Sequence, residues 1–337
     1  MKFGSVPVQE SEGCIVAHSI RQNGFVLKKG ERVSASHIQA LLAAGVESLV
    51  VARLEPDDID EDNAAGQLAK AVAGAHVRVE KPFTGRANLF AESAGVLVVD
   101  MDRIDALNEL DERITFATLP AYRSVEQGEM IGTVKIIPFA VPGDSLTTSL
   151  KCAAGGLVKV APYRPLKVAV ISTLLPGMKP NVIAKTLRVT AERLAPAGAK
   201  IVLDVKIAHD AEALRAAIHQ AETQCDMIIV FGASAITDRR DVIPSAVETA
   251  GGVIEQLGMP VDPGNLLLVA NLNGKPVLGA PGCARSPKEN GFDWVLQRLL
   301  AGLPVRAADI RRMGVGGLLM EIVARGQLRE AHGGQDD

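Results

Sequence analysis

Between residues 166 and 302, short β-branched apolar runs alternate with segments of helical spacing, and this alternation leaves few folds open. "LKVAVIST" reads as a strand, "NVIAKTLRVTAERLAPAG" as a helix stopping at Pro196 and Gly198, and "KIVLDVKI" as a second strand. "DAEALRAAIHQAETQC" follows as a helix with Asp210 placed to cap it, "DMIIVFG" as a buried strand, and "VIPSAVETAGGVIEQLG" as a third helix. Such a series folds through right-handed crossovers into a mainly parallel sheet covered by helices on both faces, a three-layer α/β domain. "LLLVANLNGKPVLGAPG" then reads as a hairpin turning at Asn273-Gly274. A last helix, with the lone Trp294, is expected over roughly 289–301.

The first part of the chain has another rhythm. "EGCIVAHSIRQNGFVLKKGERVSASHIQALLAAGVESLVVARL" offers short strands, turns at Asn23-Gly24 and Lys29-Gly30, and a helix near 36–44 opened by Ser34 or Ser36. "DEDNAAGQLAKAVAG" is a small-residue helix, "AGVLVVDMDRIDALNEL" a strand and a helix, and "ITFATLPAYRSVEQGEMIGTVKIIPFAV" mostly extended. Three parts are therefore expected: a mixed α/β domain over 1–160, the α/β domain over 161–303, and an extension over 304–337 ending in a polar, disordered tail.

Composition excludes some partners. The net charge of −3, with Lys and Arg scattered, gives no basic footprint for nucleic acid or an anionic membrane. With aromatics at 3%, the stacking platforms of single-strand binders are lacking. No stretch has the ~18 consecutive apolar residues of a membrane span, and "MKFGSVPVQESEG" lacks a signal peptide's apolar core, so a cytoplasmic protein is expected. The 4 cysteines, Cys14, Cys152, Cys225 and Cys283, form no C-x-x-C pair and read as free thiols.

Chemistry concentrates after the strand at 227–230. Gly232, Ala233, Ser234, Ala235, Ile236 and Thr237 put backbone N–H groups and hydroxyls where a parallel sheet offers its carboxyl edge, a place able to cradle a phosphate. Asp238 and Asp241 flank Arg239 and Arg240 in the same turn, as carboxylates that hold a divalent cation beside a phosphate do. An ordinary strand-to-helix turn with a capping Asp explains the same residues equally well. Other strand ends point to the same rim: Ser172-Thr173, His209-Asp210 and Pro281-Gly282-Cys283. His209 by itself reads as a capping or surface histidine and Asp210 as an N-cap.

The order strand, Asp210, helix, strand, glycine loop, "RRDVIP", helix, hairpin, "PVLGAPG" resembles the molybdopterin-binding domain shared by molybdopterin adenylyltransferases, molybdopterin molybdotransferases and CinA proteins. "RRDVIPSA" is similar to the adenylyltransferase Arg-Asp-Val-Thr-Pro segment, and "GKPVLGAPG" to the molybdotransferase Pro-Val-x-Gly-Leu-Pro-Gly. In the N-terminal half, "GCIVAHSIRQNGFVLKKGERVSASHIQALLAAGVESLVVA" looks like a molybdotransferase segment. "FTGRANLFAESAGVLVVD" and "GEMIGTVKIIPFAV" look like a subgroup sometimes joined to a pterin-cofactor nucleotidyltransferase.

The resemblance implies that Ser172, Thr173, Gly232, Ala233, Ser234, Ala235, Thr237, Asp238, Pro281, Gly282, Cys283 and Ser286 bind molybdopterin and its phosphate. It implies Asp210 and Asp241 as catalytic carboxylates, with Asp241 on Mg²⁺. Implied partners are molybdopterin or adenylylated molybdopterin, a second copy of the chain, and a pterin-cofactor nucleotidyltransferase or a molybdoenzyme. The sequence also departs from the family. "STLLPGMKP" replaces an acidic turn, Phe231-Gly232 replaces a glycine pair, Asp262 replaces a lysine, and Cys283-Ala284-Arg285-Ser286-Pro287 replaces Asn-Pro. Adenylyl or phosphoryl transfer, molybdate insertion and non-catalytic carriage all stay open, beside a CinA-like pyrophosphate hydrolase and a purely regulatory module.

Overall fold

In the computed structural model, residues 1–22, 24–178 and 180–319 are described. The chain divides into two compact units, Met1–Pro162 and Tyr163–Asp337. None of the described helices is long and apolar enough to cross a membrane.

The first unit is built from small sheets with antiparallel pairing, the largest combining Val77–Val79, Arg86–Ala91, Ile114–Thr118 and Met130–Ile136. Its helix Glu61–Val72 buries Ala64, Ala65, Leu68, Ala69 and Val72, a small-residue face that lets the helix lie close to strands. Ser34, Asp60 and Asp100 cap their helices through side-chain oxygens, as their positions before helical runs require. Helix Gly143–Ala153 has a short apolar face of Leu146, Leu150 and Ala153 among hydroxyl residues, a pattern too brief to stand out in the sequence. Its hydroxyls bond back one turn, Thr147 to the Gly143 carbonyl at 2.7 Å and Thr148 to that of Asp144 at 2.9 Å. The Asn23-Gly24 turn falls partly outside the described residues, whereas Gly30 turns as expected with φ 87°.

In the second unit the strands are β1 (Lys167–Leu174), β2 (Lys200–Ala208), β3 (Met227–Phe231), β4 (Val253–Leu257), β5 (Leu268–Leu272) and β6 (Lys275–Ala280). The helices are α1 (Pro180–Leu194), α2 (Ala211–Glu222), α3 (Val242–Thr249), α4 (Gly291–Leu300) and α5 (Ala307–Arg311). One sheet takes the order β2-β1-β3-β6-β5-β4, with β2, β1, β3 and β6 parallel and β5 antiparallel to its neighbours. Two apolar cores, one per face, make it the middle of three layers. Alternate residues of β1 and β3 divide between them: Val168, Val170, Met227, Ile229 and Phe231 on one side, Ala169, Ile171, Ile228 and Val230 on the other.

The third helix is shorter than its sequence suggests. Apolar spacing continues through Val253 and Leu257, but Gly251 adopts φ +91° and the chain leaves the helix to form β4. A Cβ on Gly252 would come within 2.9 Å of the Val247 carbonyl, so the glycine pair permits this sharp exit. The hairpin turns at Asn273 (φ 50°) and Gly274 (φ 84°), the left-handed pair that a two-residue turn demands. Beyond residue 303, Ile310 and Met313 are buried in the core that holds Phe292. The polar tail expected at the end of the chain lies outside the described residues.

Candidate functional site at the carboxyl rim

Because β1 is followed by β2 on one side and β3 on the other, the chain reverses its winding direction between β1 and β3. The crevice beyond their carboxyl ends is where open α/β sheets bind ligands. Ser172-Thr173, His209, the 232–238 loop and Pro281-Gly282 all emerge at this rim, because β6 runs parallel to β3.

Thr173 ties three strand ends together. Its hydroxyl accepts the Ala233 N–H at 2.9 Å and shares a hydrogen bond with His209 Nδ1 at 2.8 Å. His209 Nε2 lies 3.3 Å from the Ser234 hydroxyl. The imidazole thus bridges the end of β1 to the glycine loop, a role that a capping or surface histidine would not have. Each imidazole nitrogen faces a hydroxyl that can donate or accept, so either neutral tautomer satisfies the chain. Thr173 is fully buried and Ser234 exposed, so the bridge runs from the sheet core to solvent.

The loop closes tightly on itself. A Cβ on Gly232 would lie 2.6 Å from the Ser234 carbonyl oxygen, which explains the glycine. The Thr237 N–H reaches Asp241 Oδ2 at 3.3 Å, so the N–H groups of Ala233 and Thr237 are already engaged. Ser234 and Ala235 are exposed, and their N–H groups make no bond among the described residues, so these are the ones a ligand oxygen can take. Across the crevice, a Cβ on Gly282 would meet nothing within 4 Å, leaving its backbone approachable.

The carboxylates serve local structure. Asp210 caps α2 by accepting the Ala213 N–H at 2.9 Å, and Asp241 caps α3 by accepting that of Val242 at 2.8 Å. Asp238 pairs with Arg240 at 2.7 Å, and this hydrogen bond holds its carboxyl below the ordinary range. No group of three His, Cys, Asp or Glu side chains poised for a metal occurs among the described residues. Mg²⁺ needs no such cage, since it keeps its waters and takes one or two carboxylates plus substrate phosphates; the Asp241 oxygens here accept the Val242 and Thr237 N–H groups.

In the second loop, Pro281 is buried, Gly282 exposed, and Gly282–Arg285 forms a 3-10 turn. The Ser286 hydroxyl accepts the Lys288 N–H at 3.3 Å, which turns it into its own loop. Cys283 is half-buried, and burial pushes its thiol up. Two arginines that sequence patterns did not single out hold this loop. Arg193 of α1 ion-pairs with Asp293 of α4, both largely buried, and donates to the carbonyls of Ala284 at 2.8 Å and Ser286 at 2.7 Å. Arg285 donates to the Gly232 carbonyl at 2.9 Å and to Thr186 Oγ1 at 2.7 Å, stitching both loops to α1. Neither was visible from spacing, because their partners lie 53 to 100 residues away.

Residues 168–308 match a family model described as "Probable molybdopterin binding domain". That segment is similar to molybdopterin-binding domains over about two fifths of the chain. Residues 5–53 match a second model, "Domain of unknown function (DUF8806)". No curated protein matches. Among solved structures, a molybdopterin biosynthesis moea protein from Pyrococcus horikosii is 15% identical, over 89% of this chain and 75% of that one, with TM-score 0.30. A molybdenum cofactor biosynthesis protein from Pyrococcus furiosus is 12% identical, over 90% of this chain and 64% of that one, with TM-score 0.27. The family match takes in β1 to β6 and both rim loops.

Proposed function

We propose that this protein binds molybdopterin or its adenylylated form at the carboxyl rim of the β2-β1-β3-β6 sheet and acts in the biosynthesis or handling of the molybdenum cofactor. One observation carries the reading: the molybdopterin-binding family match spans the sheet whose winding reverses where Thr173, His209 and Ser234 meet. The exposed N–H groups of Ser234 and Ala235 receive phosphate oxygens, and the open backbone at Gly282 lets the pterin approach. Pro281, Cys283 and Ser286 shape the opposite wall, and Gly232, Ala233, Thr237 and Asp238 set the near wall's turn.

For transfer chemistry, Asp241 contributes a carboxylate to Mg²⁺, which would supply charge neutralisation at a transferring phosphoryl group. Asp210, exposed at the end of β2, orients the nucleotide. Ser172 and Thr173 fix the floor of the crevice. The exposed Val315 and Leu318, 99% and 70% accessible, supply apolar surface for self-association, which light scattering reads directly. Both residues stand in the segment "GVGGLLMEIV", whose residues from 320 onward lie outside the described ones.

The direct test is fluorescence and mass analysis of small molecules retained by the purified protein, followed by titration with molybdopterin. A retained or tightly bound pterin is expected. Saturable binding of a nucleotide pyrophosphate with no pterin affinity would contradict the reading.

A further inference from the structure

We infer that Arg285 is the charge partner of the ligand's phosphate, a tetrahedral oxyanion seated between the two rim loops. This assignment rests on the pterin-binding reading above and adds a residue to it. Arg285 stands in the segment Cys283-Ala284-Arg285, where this chain departs from the Asn-Pro of the proteins it resembles.

Three observations point to an anion. The guanidinium is half-buried yet forms no ion pair among the described residues; its partners there are a threonine hydroxyl, a carbonyl and the Phe231 ring, 5.1 Å from the ring centre. Burial lowers its pKa, and no neighbouring carboxylate acts in the opposite direction. Such a cation is ordinarily paired, because burying charge without a counter-charge is costly. Of the five N–H groups of a guanidinium, the bonds to Thr186 and Gly232 use two, leaving donors for a planar, forked contact with an oxyanion.

The second observation is Ser172. It is fully buried, and its hydroxyl has no partner among the described residues. Ser172 pairs in register with Phe231, so both side chains project from the same sheet face, the face on which Arg285 lies over the Phe231 ring. An uncompensated cation and an unpartnered hydroxyl therefore share one side of the crevice. The third observation is placement: the Arg285 bond to the Gly232 carbonyl holds it against the loop whose Ser234 and Ala235 N–H groups are open. Elsewhere on this rim, Arg193 pairs with Asp293, Arg239 with Glu248 and Arg240 with Asp238, leaving Arg285 as the unneutralised one of these arginines.

The test uses the whole chain and inorganic phosphate, with sodium chloride at matched ionic strength as control and molybdate as a parallel arm. In the native protein, phosphate raises the melting temperature and chloride does not. Arg285→Met, which keeps the apolar stem and removes the charge, is expected to lose the phosphate shift measured against its own ligand-free melting temperature. Its phosphate affinity falls about tenfold or more, the scale of one lost charge-assisted contact. Arg285→Lys keeps charge but not the fork, folds regardless of how the methionine variant behaves, and is expected to weaken binding severalfold. Loss of the shift with either oxyanion supports the assignment, and the arm with the larger native shift tells whether a phosphate ester or an oxometalate is held. A native phosphate shift retained in both variants overturns it while leaving the pterin reading intact. A native protein that responds to neither oxyanion overturns it as well, and molybdopterin titration of that protein then shows whether the wider reading survives.

Discussion

The two ends of the same sheet differ in a way that volume alone conceals. At the amino end a cavity of about 550 Å³ is lined by charged residues that include Arg164, Asp226, Glu255, Lys275 and Arg306. Two of these charges are occupied with the fold: Asp226 accepts the Lys167 N–H at 2.8 Å, and Lys275 donates to the Cys225 carbonyl at 2.9 Å. The carboxyl end retains unspent groups, namely the Arg285 cation, the Ser172 hydroxyl and the N–H groups of the exposed Ser234 and Ala235. A buried polar group without a partner is rare and expensive, so the Ser172 hydroxyl beside the Arg285 cation marks the carboxyl end as the one shaped for a ligand.

The largest expected effect breaks the scaffold of the carboxyl end. Arg193→Ala leaves Asp293 buried without its partner and releases the carbonyls of Ala284 and Ser286, at a cost of roughly 3–5 kcal/mol in urea unfolding. A loss under about 1 kcal/mol would mean that the loop does not depend on this pair.

Thr173→Val comes next and sharpens the contrast between the ends. It strands the Ala233 N–H and frees His209, costing about 1–3 kcal/mol of stability, with pterin affinity expected to fall about tenfold. Lys275→Met at the amino end loses comparable hydrogen bonding but leaves pterin affinity within about twofold, since it touches no rim group. Equal losses of affinity in the two variants would erase the distinction between the ends.

Asp241→Asn has the smallest structural effect. Asparagine caps helices as well as aspartate does, so stability stays within about 0.5 kcal/mol. Pterin affinity stays within about tenfold, ~1.4 kcal/mol, while any Mg²⁺-dependent transfer is abolished. Transfer undiminished in this variant would remove Asp241 from the chemistry.

Local signals made the scaffold legible. The β-branched runs of β1 and β3, the Asp210 cap and the Asn273-Gly274 turn each have a short-range cause that the residues state outright. Misreadings arose where two short-range signals competed. The apolar period across Val247 to Leu257 argued for one long helix, whereas the backbone freedom of Gly251 and Gly252 ended it. The site was only half legible for a different reason. Strand ends and glycine turns announced the rim, and family resemblance supplied a ligand. What His209, Arg193 and Arg285 do there depends on partners 25 to 100 residues distant. Even so, the Arg285 position was visible as a departure from the family's Asn-Pro, and an inserted cation beside a phosphate loop is a signal worth following.

The central claim, that the ligand sits at the carboxyl end, is tested most directly by amide hydrogen exchange on the intact chain with and without molybdopterin. The account predicts slowed exchange in 232–238 and 281–286 and around His209, with no change in 269–276 or 302–306 at the amino end. Protection confined to the amino-end cavity would contradict it.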